Sequence, residues 1–205
     1  PRGISAFFVD LNAEGCERDS SYEVLSGPGS HADIIMKDVR VAPENLIGQE
    51  GAGFALGMSR ITINRLLHCA SMLGMANLAV KLSVGRAAGR KQFGRAIGQF
   101  QAIQHMLADM QTELYAAQCM MYDAAARQDT GKDIRMEASM SKVFSGETAF
   151  KIADRAMQIH GGAGLLKGDP IEFIFRYTRI FRIVTGTSEI QRNTIAKGML
   201  AAAAR

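Results

Sequence analysis

Two different periods of apolar residues run along the chain. Residues 1–48 carry the signal of extended backbone. Residues 4–9 form a β-prone run, and Ile34-Ile35-Met36-Lys37-Asp38-Val39-Arg40-Val41 alternates in part with period two until Pro43 ends it. Gly27-Pro28-Gly29 reads as a turn. From residue 51 the period becomes helical. Residues 51 to about 89 are rich in Ala, Leu and Met and free of Pro, and Gly94 and Gly98 bracket a loop. A second helix starts near Gln99, with Ile103, Leu107, Met110, Leu114, Ala117 and Met121 on one face at spacings of three and four. A polar turn over 128–133 leads into a third helix over about 134–159, which Gly161-Gly162-Ala163-Gly164 breaks. Pro170 suits the first turn of a shorter helix, interrupted at Gly186. A last helix begins near Ser188, where Ser188 with Gln191 matches a capping box, and Ala201 to Ala204 reads as its frayed end.

Long amphipathic helices with short connections predict a mostly α fold: an antiparallel four-helix-type bundle preceded by a partial β-domain segment. The expected division is residues 1–48, the end of a β-domain, and residues 49–205, the bundle. Composition agrees. The 205 residues suffice for one sizeable domain or two small ones, 47% are hydrophobic, and Met 12 with Pro 4 favours helix. The charge of +4 is mild and interspersed with acidic residues, so no nucleic-acid stripe is expected. Cys16, Cys69 and Cys119 are odd in number and far apart, which matches neither a disulfide framework nor a zinc site and fits a reduced, cytoplasmic setting. His31, His68, His105 and His160 make no metal pair. No signal peptide and no apolar run long enough to span a bilayer are read. The chain opens at Pro1 without Met, in strand-like sequence, as a fragment or a processed protein does.

Three stretches carry candidate chemistry. Arg90-Lys91-Gln92-Phe93-Gly94 places two cations beside an aromatic ring and a glycine; an arginine fork binds phosphate bidentately, and Phe93 can lie against a planar ring. Gln158-Ile159-His160-Gly161-Gly162-Ala163-Gly164 lets a backbone or ligand come close after a helix, or caps that helix. Gly186-Thr187-Ser188-Glu189 opens a helix whose free N–H groups favour an anion, or simply caps it.

In their order and spacing, these stretches resemble the acyl-CoA dehydrogenase family. So do Phe100-Gln101-Ala102-Ile103-Gln104, Leu107-Ala108-Asp109-Met110 and the run from Ile183 through Gly186-Thr187-Ser188-Glu189-Ile190-Gln191-Arg192. The stretch from Val39 to Gly48, continuing through Gly51-Ala52-Gly53-Phe54, is similar to that family's link from middle β-domain to C-terminal bundle. The resemblance covers essentially the whole chain but only about the back half of a typical member. It implies FAD as cofactor, an acyl-CoA substrate oxidised at its 2,3 bond, an electron-transfer flavoprotein as partner, and a homotetramer. Arg90 and Phe93 would meet the pyrophosphate region of FAD, with Gln101 a polar contact. Gln158, Gly161 and Gly162 would approach the adenosine end. Thr187, Ser188 and Glu189 would contact FAD from the last helix. Arg65 and Gly186 would lie on the substrate side.

The catalytic position departs from the family. Where the resemblance implies a glutamate base, this chain has Thr185, and the alternative position on the first bundle helix is Asn64. A hydroxyl or an amide is too weak to remove a carbon-bound proton near neutral pH. The Thr185 backbone amide survives the change and can still polarise a thioester carbonyl. Glu172 lies outside the family's base positions, and Arg176-Tyr177 replaces a common Arg-Asp, which removes a local ion pair. The implied function is therefore a FAD-dependent acyl-CoA dehydrogenase-like oxidoreductase with Thr185 at the base position. The alternatives are a base-less subunit of a mixed oligomer, or a flavoenzyme of the same fold with monooxygenase or desulfinase chemistry.

Overall fold

The computed structural model describes residues 3–25 and 27–204. Contacts divide the chain into a unit up to Ile61 and a unit from Thr62 onward, the division falling inside the first long helix.

In the first unit, β1 (Cys16–Val24) and β2 (Gly27–Met36) form an antiparallel hairpin, with register irregularities around Tyr22. This departs from the sequence reading in four ways. β1 was not anticipated, because its polar residues show no apolar alternation. Gly27-Pro28-Gly29 is not the turn: Gly27 pairs with Val24 and Pro28 with Glu23. A two-stranded ribbon has an open edge on each strand, so a residue without an N–H is tolerated there. The strand expected to reach Val41 stops at Met36, since Lys37 N bonds Gly15 O at 2.9 Å and Asp38 turns the chain at φ 55. Residues 4–9 make only single bridges, Ile4 to Ala52 and Phe7 to Leu46, because the facing segment coils into a 3-10 turn at Pro43–Asn45.

α1 (Gly53–Gly89) begins where Gly53 crosses residues 5 and 6 so closely that a Cβ would stand 2.6 Å from Ala6 N. In the second unit, a short hairpin of β3 (Lys91–Gln92) and β4 (Arg95–Ala96) replaces the expected loop. Its two central residues, Phe93 and Gly94, both have positive φ, the turn that suits a two-residue hairpin. A 3-10 turn (Ile97–Gln99) then delays the next helix, so α2 is Gln101–Asp129. α3 (Arg135–His160) returns antiparallel to it, as the Arg155–Glu113 and Arg127–Glu137 pairs and the Ser141-to-Met120 carbonyl bond require. α4 (Pro170–Ile180) is capped by Asp169, whose carboxylate accepts from Ile171 N, and α5 (Ser188–Ala203) closes the bundle.

The expected α2 stripe is largely the buried one: Met110, Leu114, Ala117 and Met121 are in the core. α3 is the central helix, packed on α2, α4 and α5. Its Ala, Ser and Gly residues face several neighbours at once, and small side chains permit close approach on all of those sides. By length and composition alone, α1 is long and apolar enough to cross a bilayer, contrary to the sequence reading; its Cys69, Met72, Leu73, Ala76, Ala79 and Val80 lie in the bundle core.

Candidate active site and cofactor grooves

The α1–β3 junction, the β3–β4 hairpin and the end of α3 enclose a groove of about 380 Å³, lined by Arg90, Phe93, Gln158, Gly161 and Gly162 together with Arg86 and Phe100. Two stretches distant in sequence, residues 86–103 and 158–162, thus converge. Phe93 is held at φ 52 and is 91% exposed, an unusual conformation spent on presenting a large aromatic face to solvent. Phe100 meets it edge-on at 6.2 Å and carries the Arg95 guanidinium 4.1 Å from its own ring centre. Gly161 ends α3 at φ 61, and a Cβ added at Gly161 or Gly162 would meet open space. Arg86 bonds His160 O at 3.3 Å, while its Nε is buried with no partner among the described residues. An anionic ligand with a planar ring fits this donor set. Gln101 does not line the groove: the 3-10 turn places it, exposed, at the first position of α2.

Thr187, Ser188 and Glu189 lie in a second groove with Glu147, Arg179, Arg182 and Ile183. Glu147 and Gln158 are eleven residues apart on α3, roughly 16 Å along its axis. The structure therefore separates the residues expected around one cofactor into two groups. The cap also differs from the sequence reading. Thr187 is the N-cap, accepting from Ile190 N at 3.3 Å; Ser188 is buried, donating to Glu147 Oε1 at 3.2 Å; and Gln191 turns inward. The helix start is less open to an anion than expected, since Ser188 N is already bonded to Arg182 O at 3.0 Å. Glu189 is held ionised below the usual carboxylate range by its own backbone amide and by the Thr187 hydroxyl. Arg182 pairs with Glu147, but its Nε and Arg179 Nη1 are buried without partners among the described residues.

A polar centre surrounds Thr185, next to the second groove and farther along α3 from the first. The chain leaving α4 takes positive φ at both Thr185 (56) and Gly186 (90), and among the described residues neither N–H has a partner. Lys142 of α3, fully buried, holds this turn by donating to Phe181 O at 2.6 Å and Gly186 O at 2.8 Å. Gln191 Nε2 donates to Thr185 O and Gly186 O at 3.2 and 3.1 Å. A Cβ at Gly186 would stand 2.7 Å from that nitrogen, so glycine is needed for space as well as for φ. Arg65 of α1 is buried, with Nη1 on Ser139 Oγ at 3.3 Å and Nε unpartnered among the described residues. Thus Thr185, Gly186 and Arg65 lie together in this centre. Glu172 is elsewhere, paired with Arg176 one turn along α4.

Sequence reading missed two members of this centre. His68, noted only as unsuited to metal, hydrogen-bonds through Nδ1 to Thr185 Oγ1 and packs edge-on against Phe181. Burial, and then Lys142, hold its imidazole below the usual 6.5. Lys142 falls in no motif of the sequence, yet burial holds its ammonium below the usual lysine range, and burial lowers Arg65 as well. Among the described residues neither cation forms an ion pair with a carboxylate. The one advance signal was positional: Arg65, His68 and Cys69 fall at helical spacing on α1.

Residues 51–200 match the family model described as acyl-CoA dehydrogenase, C-terminal domain. The chain is 41% identical to a subunit of the caffeyl-CoA reductase–Etf complex of Acetobacterium woodii, over 97% of this chain and 52% of that protein. It is 40% identical to the 3-(aryl)acrylate reductase of Clostridium sporogenes, over 97% and 53%. Among solved structures, the acyl-CoA dehydrogenase of Geobacillus kaustophilus superposes with a TM-score of 0.92 at 30% identity, covering 97% of this chain and 52% of that one. The chain spans about half the length of these relatives.

Proposed function

Because the chain belongs to the acyl-CoA dehydrogenase family, we propose that it is the back half of a FAD-dependent oxidoreductase acting at the 2,3 bond of an acyl-CoA thioester. In this reading residues 1–48 end a β-domain and residues 49–205 are the bundle that carries the cofactor and substrate contacts. The observation that carries the proposal is the convergence of Arg90, Phe93, Gln158, Gly161 and Gly162 on one groove. The Arg90 fork and the Arg86 donor receive pyrophosphate, the exposed Phe93 face covers a planar ring, and the two glycines let adenosine approach the end of α3. FAD, when bound, supplies two-electron redox chemistry. Thr187, Ser188 and Glu189 line a separate groove, which supports an assembly in which each cofactor draws on more than one copy of the chain, such as a tetramer; Gln101, exposed at the start of α2, serves as a polar contact there. The unpartnered amides of Thr185 and Gly186 receive the thioester oxygen, with Arg65 beside them.

Relatives named as reductases, one of them in an Etf complex, favour exchange of electrons with an electron-transfer flavoprotein and reduction of a 2-enoyl-CoA as the working direction. The absence of a carboxylate at Thr185 favours a second reading, a subunit whose base comes from a related partner chain. The test is the full-length protein purified with its flavin and mixed anaerobically with saturated acyl-CoAs, and, after chemical reduction, with 2-enoyl-CoAs. Flavin bleaching by the former or reoxidation by the latter is expected. Silence with every chain length sinks the first reading, and turnover by a homo-oligomer sinks the second.

A further inference from the structure

Among the described residues, the centre around Thr185 holds no carboxylate to abstract a proton, yet it holds a hydroxyl bonded to an imidazole. The geometry points to a Thr185–His68 relay that exchanges the proton on the α-carbon of the acyl thioester, with the Thr185 hydroxyl touching that carbon and His68 Nδ1 the terminal acceptor. The inference rests on the acyl-CoA reading above and deepens it.

Three observations carry it. First, Thr185 Oγ1 and His68 Nδ1 are in direct contact although they are 117 residues apart. A hydroxyl is too weak a base alone, but a hydroxyl whose proton passes to an imidazole in the same step is the arrangement of an activated nucleophile or base. Second, the imidazole is neutral and ready to accept: burial and the Lys142 ammonium of α3 disfavour its charged form. On α1 itself Arg65 lies one turn before it and Cys69 beside it; burial raises the Cys69 thiol to about 11, so it stays protonated. Third, among the described residues Arg65 and Lys142 are buried cations without carboxylate partners, and two adjacent amides are unpartnered. Such a centre favours negative charge developing on a substrate held beside it.

The step balances without a change of oxidation state. The bond from the α-carbon to its hydrogen breaks, and that proton goes to Thr185 Oγ as the Thr185 proton goes to His68 Nδ1. The electron pair stays on the thioester, delocalised onto its oxygen, where the Thr185 and Gly186 amides lie. A neutral thioester and a neutral imidazole become an enolate and an imidazolium. Reversal returns a proton from solvent to the carbon, and in a reductase direction the same relay supplies it.

The experiment follows deuterium. Full-length flavin-loaded protein is incubated anaerobically in D₂O with butanoyl-CoA or 3-phenylpropanoyl-CoA and no electron acceptor beyond its own flavin. C2 deuterium is read by mass spectrometry, and thioester binding by calorimetry. The wild type is expected to exchange, with a rate that falls as pH drops through the imidazole's depressed pKa. His68→Asn, which keeps a polar atom near the Nδ1 position but cannot accept the proton, and Thr185→Val are each expected to bind the thioester and exchange at least about 100-fold more slowly. The relay is overturned if the wild type binds without exchanging, if either variant exchanges at the wild-type rate, or if the low-pH fall is absent. Failure of the wild type to bind any thioester overturns the acyl-CoA reading itself, and the relay with it.

Discussion

Lys142→Met tests what holds the Thr185 turn. Methionine keeps most of the lysine stem and removes only the ammonium. That group now donates to Phe181 O at 2.6 Å and to Gly186 O at 2.8 Å. Gly186 O keeps Gln191 Nε2 at 3.1 Å, so losing its lysine bond costs about 1 kcal/mol. Phe181 is buried and no second donor to its carbonyl is present among the described residues, so that oxygen is left unsatisfied, a cost of about 1–3 kcal/mol. Against this, the variant no longer buries a charge whose ionisation is already disfavoured. The net expectation is a loss of about 1–3 kcal/mol, or a fall in melting temperature of roughly 3–10 °C for a protein of this size. Thermal unfolding followed by circular dichroism reads the total. Hydrogen exchange over residues 181–187 reads the site, and protection should fall there before it falls in α2. An unchanged melting temperature with unchanged exchange at the turn would falsify the idea that Lys142 is its clamp.

Three other outcomes are expected. Arg90→Ala and Phe93→Ala should weaken FAD binding by about 10-fold or more each, the worth of a charge-assisted bond or a stacked ring, while leaving helix content unchanged; full flavin occupancy in both variants at limiting FAD would contradict the groove assignment. Thr185→Glu places a carboxylate where the resemblance implies a base, without new backbone strain, since Thr185 is already at φ 56. It should confer or raise acyl-CoA-dependent dye reduction, and an inert variant that still binds acyl-CoA would show a pocket retuned beyond its base. Stability should depend on His68 with a definite sign. Its folded pKa lies below the unfolded 6.5, so the unfolded state binds more protons as pH falls below 6.5, and stability declines through the folded pKa. His68→Asn should flatten that limb of a denaturation series run between pH 7.5 and 5, whereas an identical slope in the variant would assign the limb to other groups.

The helices were readable in sequence because their signal is local. The α2 stripe from Met110 to Met121 repeats at the helix period, and burial follows that period. Pro170 after Asp169 marks a helix start by side-chain chemistry alone. The hairpin of β1 and β2 was not readable, since Cys16–Val24 has no alternation to read and its register depends on which residues face it. The capping box failed for a similar reason: Ser188 and Gln191 have the right spacing, but the bundle interior took both side chains and left Thr187 as the cap.

The candidate site divides the same way. Sequence by itself determined the family motifs, the glycines and the arginine expected at a cofactor, and the threonine where the resemblance implies a base, because these are matters of residue type and spacing. It could not weigh His68 or Lys142, which look ordinary along their own helices. Only the packing of α1, α3 and the turn after α4 brings the imidazole onto Thr185 and the ammonium under Gly186. Tertiary structure likewise decided that the residues expected around one cofactor line two grooves rather than one, because the direction in which each residue points depends on helix packing, and spacing along the chain carries no information about that.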